Sequence, residues 1–351
     1  MSGQTNQNHP SVCVMVLNYN GQQFLQDCFE SLQKCTYPNF NVMMVDNKST
    51  ENDVEYVSQN FPEVQIVQTG SNSGYSRAYN IAFEHSEAKY FVLLNNDVKV
   101  QPDWLEYLVE AAEQDENIGA VQPKIQSMVQ EGYFEYAGAS GGFMDYLGYP
   151  FMRGRLFFDI EKDQGQYDTE AELFWTSGAA MFVRASALEK SGVLDEDFVH
   201  HMEEIDLCWR LHLAGYNLKV IPKSMILHYD GGTIKPFSFM KLYWNHRNGI
   251  FMLIKNLSGK NLWSTLAKRY SLDTINIFYS ALARLDFKHS WAIMKAHFWI
   301  WLNLRFILKK RKETQNRALV KPETVEQLFY KKSIILQYFI SGKKTFTELM
   351  K

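Results

Sequence analysis

The sequence predicts an α/β protein built on a doubly wound, mostly parallel sheet, with a helical extension at its C-terminal end. Short apolar runs alternate with helical patterns over the first hundred residues, and several of these runs end abruptly in polar side chains. This alternation is typical of parallel strands joined by right-handed crossovers. After Pro236 helical periodicity dominates, which predicts the extension.

The elements of the first hundred residues follow from their periods and from the turns between them. Strands are predicted at four short apolar runs, residues 12–17, 41–45, 64–67 and 90–94. Helices are predicted over residues 22–34, 51–60 and 73–86, and Pro102 stands near the first turn of the next helix.

The middle of the chain has a different pattern. Residues 126–172 are rich in Gly, Tyr and Phe and lack a period, which predicts loops or short antiparallel strands that carry binding residues. Order returns over residues 174–184, and a helix is predicted over 203–214, closed by Gly215. A further strand is predicted over residues 217–221.

Length and composition predict the domain organisation and the compartment. A chain of 351 residues suggests two domains, or one large domain with an appendage. We predict a tail at 1–10, a catalytic domain at 11–235 with halves 11–125 and 126–235, and a helical region at 236–351. Four cysteines without a CxxC pair, and the absence of a secretory signal or of 18 consecutive apolar residues, predict a cytoplasmic protein.

The net charge of −3 hides an asymmetry along the chain. From Lys235 onward, 22 Lys and Arg side chains face only six Asp and Glu side chains. A basic end on an acidic body indicates an anionic partner, either membrane phospholipid or nucleic acid. Because no zinc-finger or RNP motif is present, the sequence does not favour nucleic acid.

Polar side chains follow three of the predicted strands. Asn18 and Asn20 follow the first, Asp46 follows the second, and Asn95, Asn96 and Asp97 follow the fourth. In a doubly wound sheet these strand ends share one crevice, where an oxygen ligand can hold a divalent cation against a diphosphate. The alternative is that they are only polar turns.

A nucleotide fits the chemistry of this crevice. Residues 71–77 open a helix, whose N-terminus favours anions, and Arg77 can pair with a phosphate. The sequence has no G-x-G-x-x-G and no G-x-x-x-x-G-K-[ST], which argues against a dinucleotide dehydrogenase and a P-loop NTPase.

Two further features can carry chemistry. Glu203, Glu204 and Asp206 crowd a helix start, which is either a solvated end that suits the helix dipole or a general base over the crevice. His228 follows a strand, and it is either a structural histidine or a metal ligand that folds back toward Asp97.

Seven segments, in order and spacing, carry a family resemblance. They are VMVLNYNG (14–21), MMVDNKST (43–50), GSNSGYSRAYN (70–80), YFVLLNNDVKVQPDWL (90–105), WTSGAAMFVRASALEKSGVLDEDF (175–198), EEIDLCWRLHLAGYNLKVIP (203–222) and ILHYDGGT (226–233). Over about residues 10–250 the chain resembles family 2 glycosyltransferases of the GT-A fold, especially their rhamnosyltransferase-like branch. Each motif alone is weakly specific, and the set together is specific.

The resemblance implies roles for individual residues. The donor-binding residues would be Asn18, Asn20, Asp46, Asn72, Gly74, Arg77, Asn80, Asn96, Trp175, Ser177 and Gly178, with Asp46 at the nucleobase. Asp97, Asn95 and His228 would hold Mg²⁺ or Mn²⁺, although Asn95 replaces the first acid of the DxD motif. Glu204 stands where the family has its catalytic aspartate, and Glu203 is the alternative base.

The activity that the resemblance implies is inverting transfer of a sugar from a nucleoside-diphosphate donor. The donor predicted from the branch is dTDP-rhamnose, with a UDP-sugar next, and the acceptor is a glycan or lipid-linked oligosaccharide in cell-surface polysaccharide synthesis. A nucleotidyltransferase would need a basic activating motif near the first strand, where residues 12–34 contain only Lys34. A non-catalytic sugar-nucleotide binding module stays open, because the DxD motif reads Asn-Asn-Asp.

The C-terminal region contains an aromatic and basic stretch at residues 289–312. It resembles an interfacial amphipathic helix with a polybasic end, which would place the protein at the inner face of the cell membrane. The alternatives are a helix packed on the catalytic domain or on the partner of a homodimer.

Overall fold

The computed structural model describes residues 9–136, 138–229 and 238–351. The predicted boundary at 235/236, most of the predicted tail and the end of the motif at 226–233 lie outside these residues. The strands are β1 (Val12–Asn18), β2 (Phe40–Asp46), β3 (Gln65–Gln68), β4 (Tyr90–Asn95), β5 (Val98–Val100), β6 (Ile118–Ser127), β7 (Gly142–Met144), β8 (Pro150–Met152), β9 (Arg155–Leu156), β10 (Asp159–Ile160), β11 (Ala171–Leu173), β12 (Ala180–Arg184) and β13 (Asn217–His228).

Helices follow or separate most of these strands. They are α1 (Gln22–Gln33), α2 (Asp53–Asn60), α3 (Gly74–Phe83), α4 (Trp104–Gln114), α5 (Ala185–Ser191), α6 (Glu203–Leu213), α7 (Phe239–Asn256), α8 (Gly259–Phe278), α9 (Phe287–Leu302), α10 (Leu304–Arg317), α11 (Pro322–Val325), α12 (Ile334–Phe339) and α13 (Phe346–Met350). Short 3₁₀ turns lie at Glu196–Phe198 and Glu326–Leu328, and a π-turn at Tyr279–Ala283 follows α8.

Within the described residues, a nine-stranded sheet forms the centre of the molecule in the order β11-β13-β6-β12-β4-β1-β2-β3, with β5 paired to β13. Strands β3, β2, β1 and β4 are parallel, and β12 enters antiparallel between β4 and β6. The α/β class is therefore confirmed, with the parallel strands that the first hundred residues predict and a mixed second half.

Alternation along β1 explains how helices cover both faces of the sheet. Val12, Val14 and Val16 join a core with residues of α1, α2 and α4, whereas Cys13 and Met15 join a core with residues of α3 and α6. Successive strand side chains point to opposite faces, so a continuous apolar run is what a strand buried on both faces requires.

Residues 126–172 include a second, smaller sheet, which confirms the short antiparallel strands predicted there. Its strand order is β10-β9-β8-β7. The C-terminal end of the chain covers it: the Phe346 ring packs 4.8 Å from that of Phe143 and 6.1 Å from that of Phe151. The last described helices are therefore part of the core around this sheet.

The C-terminal helices are joined to the catalytic half by a buried polar network. Asp206 of α6 is fully buried and accepts hydrogen bonds from Arg210, Lys255 and Asn256, each at 2.8 Å. Lys255 and Lys310 also pair with Asp195 at 2.5 and 3.0 Å. Paired in this way, the buried charges connect α6, α7 and α10.

Two predicted elements differ from the structure. β13 continues to His228 instead of ending at residue 221, because it pairs with β6, β11 and β5 along its length. The aromatic stretch at 289–312 is not one helix: α9 ends at Leu302 and α10 begins at Leu304, with Asn303 between them. Among the helices of the described residues, none has both the length and the apolar character that crossing a bilayer demands.

Candidate active site

The carboxyl ends of the parallel strands bring the first predicted residues together. In the strand register Asn18 lies opposite Asp46, and Leu17 lies opposite Asn95. Asn18 and Asp46 are both buried. The crevice predicted at this edge of the sheet is therefore lined by side chains from three adjacent strands.

A hydrogen-bonded group fixes the loop after β1. The Asn18 Nδ2 atom donates to Asp53 Oδ2 at 2.7 Å, and the backbone N–H of Gly21 donates to the same oxygen at 2.9 Å. The Nδ2 atom of Asn96 donates to Asn18 Oδ1 at 2.7 Å. Asp53, fully buried in the first turn of α2, is a site residue that the sequence interpretation missed. An acid at a helix start is unremarkable in a sequence, because the dipole favours it there.

Asn47 fixes the neighbouring loop, which carries Asn72. Its Nδ2 atom donates to Asn72 Oδ1, and its Oδ1 atom accepts from the Ser73 backbone N–H, both at 3.1 Å. On the other side, Asn20 Oδ1 accepts from the Thr50 backbone N–H at 2.7 Å. The amides at these strand ends thus hold the walls around the Asp46 carboxylate.

The turn after β4 brings His228 to Asp97. Strand β5 pairs with the end of β13, with Val98 opposite His228. The His228 Nε2 atom lies 3.0 Å from Asp97 Oδ1 and 3.2 Å from Asn95 Nδ2. His228 therefore folds back toward Asp97, as its candidacy for a metal ligand requires.

A second carboxylate stands behind His228. Its Nδ1 atom lies 3.1 Å from Glu135 Oε1, and Glu135 is buried. Burial lowers the pKa of His228, but hydrogen bonds to Asp97 and Glu135 and their negative charges outweigh it and raise the pKa to about 10. Glu135 lies in the segment without a period, so no sequence signal points to it.

The donor atoms at this place fit a divalent cation that takes its other ligands from a diphosphate and water. Asp97 and His228 offer one carboxylate oxygen and one imidazole nitrogen that converge, and Asn95 adds an amide. Across the residues that the structure describes, no group of three or more His, Cys, Asp or Glu side chains forms a ready-made metal cluster. The protein ligands alone would therefore make an incomplete coordination shell.

The start of α3 faces the loop before β12. Gly74 has a left-handed φ of +82°, and a Cβ there would lie 3.0 Å from the Val199 carbonyl oxygen. The Tyr75 hydroxyl donates to the Gly178 carbonyl at 2.9 Å. Gly178 is needed for this approach, because its Cβ would lie 2.7 Å from the Tyr75 hydroxyl. Arg77 is exposed on the same helix.

Three predicted donor residues have structural partners. Asn80 donates to the Leu194 carbonyl at 2.9 Å and to Glu196 at 3.1 Å, so its amide is directed to residues 194–196. Trp175 is buried, and its indole N–H donates to the Phe143 carbonyl at 2.8 Å. Ser177 is also buried, and its N–H donates to Gln122 at 2.9 Å. These polar groups are therefore already bonded to protein partners.

Glu204 stands beside Gly178 and Tyr75. The Cβ atom of Glu204 lies 3.6 Å from the position that a Cβ on Gly178 would take. The carbonyl of Ala179, which follows Gly178, accepts a hydrogen bond from the Asn95 N–H at 3.1 Å. A short chain of contacts therefore connects Glu204 to the turn that bears Asp97.

The two glutamates differ in environment. Glu203 is buried with an unpartnered Oε2 atom, and Glu204 is partly exposed. The burial of Glu204, although incomplete, removes water from its carboxyl and raises its pKa to about 7. Burial, reinforced by the charge of Glu204, raises the pKa of Glu203 well above its ordinary value. Glu204 is thus the carboxylate that can ionise near neutral pH.

The loop before Glu203 has a strained backbone and is hydrogen-bonded to helix α7. Val199, His201 and Met202 have φ values of +60°, +67° and +73°. Asn248 of α7 lies within hydrogen-bond distance of the carbonyls of residues 198, 200 and 201, at 2.8, 2.7 and 2.7 Å. Left-handed conformations of this kind persist where the surroundings fix them, often at functional sites.

Comparison with known proteins places the chain in a family. The pattern described as Glycosyl transferase family 2 matches residues 11–188, about half of the chain. The chain belongs to this family, and the protein is a glycosyltransferase.

Individual relatives agree with this assignment. The chain is 26% identical over 274 residues to the N-acetylglucosaminyl-diphospho-decaprenol L-rhamnosyltransferase of Mycobacterium tuberculosis (strain ATCC 25618 / H37Rv), covering 74% of this chain and 88% of that protein. It is 26% identical over 228 residues to the O-antigen biosynthesis protein RfbC of Myxococcus xanthus, which covers 64% of this chain and 18% of that protein. The predicted resemblance to the rhamnosyltransferase-like branch is confirmed.

Solved structures share the fold. S. aureus TarS 1–349 superposes with a TM-score of 0.54 at 15% identity, covering 95% of this chain and 92% of that chain. GalNAc-T7, solved with UDP, GalNAc and Mn²⁺, superposes with a TM-score of 0.60 at 14% identity, covering 85% of this chain and 58% of that chain. The predicted GT-A architecture is confirmed.

Proposed function

We propose that this glycosyltransferase inverts the anomeric centre in a single displacement, with Glu204 as the general base. The observation that carries the proposal is the position of Glu204. It stands at the start of α6 beside Gly178 and Tyr75, and the neighbouring Ala179 is hydrogen-bonded to Asn95 of the Asn-Asn-Asp turn. With a pKa of about 7, Glu204 would act as the base next to the side of the crevice where a diphosphate would lie.

The proposed reaction is a single displacement at the anomeric carbon. The Glu204 carboxylate takes the proton of the acceptor hydroxyl, and the acceptor oxygen forms a bond to the anomeric carbon. The bond between that carbon and the diphosphate oxygen breaks, and the nucleoside diphosphate leaves with the electron pair. Backbone amides at the start of α3 and the Arg77 guanidinium would stabilise the charge on the departing diphosphate.

The metal site would consist of Asp97 and His228, with Asn95 as a third neighbour. Mg²⁺ or Mn²⁺ bound there would offset the negative charge of the diphosphate. Deprotonated His228 is required for this role, so binding of the ion would release the proton that His228 holds between Asp97 and Glu135. Asp97 and His228 are held at 3.0 Å from each other by the pairing of β5 with β13.

The donor would lie along the strand ends. Asp46 would accept from the nucleobase, with Asn18, Asn20 and Asn96 below the nucleoside. Asn72, Gly74 and Arg77 would border the diphosphate. For Trp175, Ser177 and Asn80 we propose an indirect role, because the polar groups described above already have protein partners.

The proposed substrates are dTDP-rhamnose and a lipid-linked oligosaccharide of cell-surface polysaccharide synthesis. Support comes from the mycobacterial relative, whose name specifies rhamnose transfer to a diphospho-decaprenol acceptor. A UDP-sugar is the second candidate, because TarS was solved with UDP-GlcNAc. A polyprenyl acceptor would bring the protein to the inner face of the cell membrane.

Replacing Glu204 by Gln tests the base. We expect Glu204→Gln to lose about 10²–10⁴-fold in turnover, the usual worth of general-base help, while donor binding persists. Binding is measured as a rise in melting temperature with dTDP, dTDP-rhamnose, UDP and UDP-GlcNAc, each with and without Mn²⁺. Glu110→Gln, on the exposed side of α4, is the matched control.

The outcomes separate the candidates. Full turnover by Glu204→Gln would remove Glu204 as the base, and loss only in Glu203→Gln would assign the role to Glu203. Binding of a sugar nucleotide without turnover in the wild-type protein, tested with lipid-linked and soluble acceptors, would favour the non-catalytic binding module.

A further inference from the structure

Helix α9 has large apolar side chains on two opposite faces. One face, with Ala292, Ile293, Ala296 and Ile300, is buried in the protein. The opposite face carries exposed side chains at helical spacing, namely Phe287 (66% exposed), Trp291 (58%), Phe298 (59%), Trp301 (70%) and Leu302 (60%). The first apolar face is covered by the protein, and an equally apolar second face is expected to have a partner as well.

The exposed face continues onto the preceding turn. The end of α8, the π-turn and the loop after it add Ile275, Phe278, Tyr279, Leu282 and Leu285, each more than half exposed. The Ser290 hydroxyl of α9 donates to the Ile277 carbonyl of α8 at 2.9 Å, which holds the two helices together. We call residues 275–302 the aromatic hairpin. Exposed apolar side chains on a monomer are normally scattered singly over its surface. The aromatic hairpin instead concentrates many large ones in one segment.

Positive charge lies within the aromatic hairpin and directly follows it along the chain. Between residues 275 and 312 the exposed cations are Arg284, Lys288, Lys295, Arg305, Lys309 and Lys312. Asp286 is the one acid in this range, and it caps α9 by accepting from the His289 N–H at 3.0 Å. In a two-fold symmetric dimer through this face, the cation-bearing surface of one copy would meet the same cation-bearing surface of the other copy.

We propose that the aromatic hairpin docks on an anionic phospholipid bilayer, with its Trp, Phe and Leu side chains in the headgroup region. Aromatic side chains favour that depth, and the surrounding Lys and Arg side chains pair with anionic headgroups. The occupant is thus a lipid surface and not a second copy of the chain, because the charge of this face complements lipid and repels itself.

The docked face lies one helix away from the crevice. Arg247 of α7 stacks over the Trp299 ring of α9 at 4.5 Å and also donates to the Asp197 carbonyl. Its neighbour Asn248 holds the loop that precedes Glu203 and Glu204. Bilayer docking would therefore hold the base near the lipid surface, where a lipid-linked acceptor resides; this consequence, unlike the docking, rests on the proposed function.

Vesicle flotation with the full chain tests the docking surface. Wild-type protein is expected to float with vesicles containing phosphatidylglycerol at low salt, to release as salt rises, and to bind pure phosphatidylcholine weakly. The variant Trp291→Ser/Phe298→Ser/Trp301→Ser should bind at least about 100-fold more weakly, since three large apolar side chains no longer enter the interface. The matched control, Val129→Ser/Leu319→Ser/Ile340→Ser, replaces three exposed apolar residues elsewhere and should bind like wild type.

Several results would overturn the proposal. These are failure of the wild type to bind phosphatidylglycerol vesicles, undiminished binding by the folded Trp/Phe variant, or equal loss in the control. A wild-type dimer in light scattering that the Trp/Phe variant converts to a monomer, without vesicle binding, would assign the face to a second copy. Because the assay contains no sugar nucleotide, its failure leaves the proposed glycosyl transfer untouched, and failed turnover leaves the docking result untouched.

Discussion

The Glu204 carboxyl is expected to set the pH dependence of the reaction. Partial burial raises its pKa to about 7, whereas an ordinary glutamate has a pKa of about 4.3. A general base works when it is ionised, so kcat/KM should fall as the pH drops through about 7 and level off above it. A pH profile measured with saturating metal checks this, with Glu110→Gln as the control. A flat profile between pH 5.5 and 8 would contradict it.

Gly21 is expected to be required for the contact between Asn18 and Asn96. A Cβ at Gly21 would lie 2.0 Å from Asn96 Nδ2 and 2.8 Å from Asn18 Oδ1, so Gly21→Ala must displace the Asn96 amide. Loss of one hydrogen bond of ordinary strength would raise the donor KM by about 10-fold. Gly259→Ala is the matched control, because a Cβ there would lie 3.9 Å from its nearest neighbour, on Arg311. Equal donor KM values in both variants would refute the requirement.

At the level of single residues, the predictable part of the site is the part that ends a strand. Asn18, Asp46 and Asp97 follow apolar runs, and the parallel register alone brings such ends to one edge. Asp53 and Glu135 were not predictable, because each acts through a partner that is distant along the chain. Asp53 reaches Asn18 over 35 positions, and no period marks the segment around Glu135.

The loop at residues 199–202 is an element whose shape depends on α7. Asn248→Ala removes the amide that contacts the His200 and His201 carbonyls of this loop and the Phe198 carbonyl just before it, and the left-handed residues are then free to relax. We expect kcat to fall by about 10²-fold, the cost of a small misplacement of a catalytic group, with donor KM nearly unchanged. Steady-state kinetics measure this split. Asn303→Ala, which loses one bond to the Trp299 carbonyl, should behave like wild type.

At the level of elements, the parallel strands of the first hundred residues were predictable and the mixed half was less so. Strands β1 and β4 are buried on both faces and therefore form apolar runs bounded by turns. Strand β13 is longer than its apolar run, because Lys223 and Ser224 interrupt the pattern at the irregularity between Ile221 and Met225. The break between α9 and α10 at Asn303 could not be predicted, because no proline or glycine stands there.

The whole molecule depends on the buried network around Asp206. Asp206→Ala would leave Lys255 and Arg210 buried beside Asp195 with one carboxylate fewer. Breaking a buried pair in this way costs about 3–5 kcal/mol of the free energy of unfolding. Denaturant unfolding measures the loss. Glu313→Gln, which breaks the exposed pair with Lys309, should change the same quantity by less than about 1 kcal/mol. Similar losses in both would show that the network does not stabilise the fold.

The packing of the C-terminal helices against the rest of the chain could be predicted only in part from the sequence. Composition and charge distinguish the C-terminal region from the rest of the chain, and this predicts an appendage. The structure gives the two parts one shared core, because residues of α7 and α8 pack in the same cluster as residues of β1 and α6. Contacts of this kind pair residues by shape and charge over long separations, for which a single sequence carries no periodic signal.

Phe346 covers the small sheet only after the last part of the chain has been synthesised. Its N–H donates to Glu161, a residue made 185 positions earlier. At roughly 5–20 residues per second, a ribosome needs roughly 10–40 s to bridge that interval. During this time the parallel half can already be folded, while the aromatic side chains under Phe346 are open to chaperones and to other nascent chains.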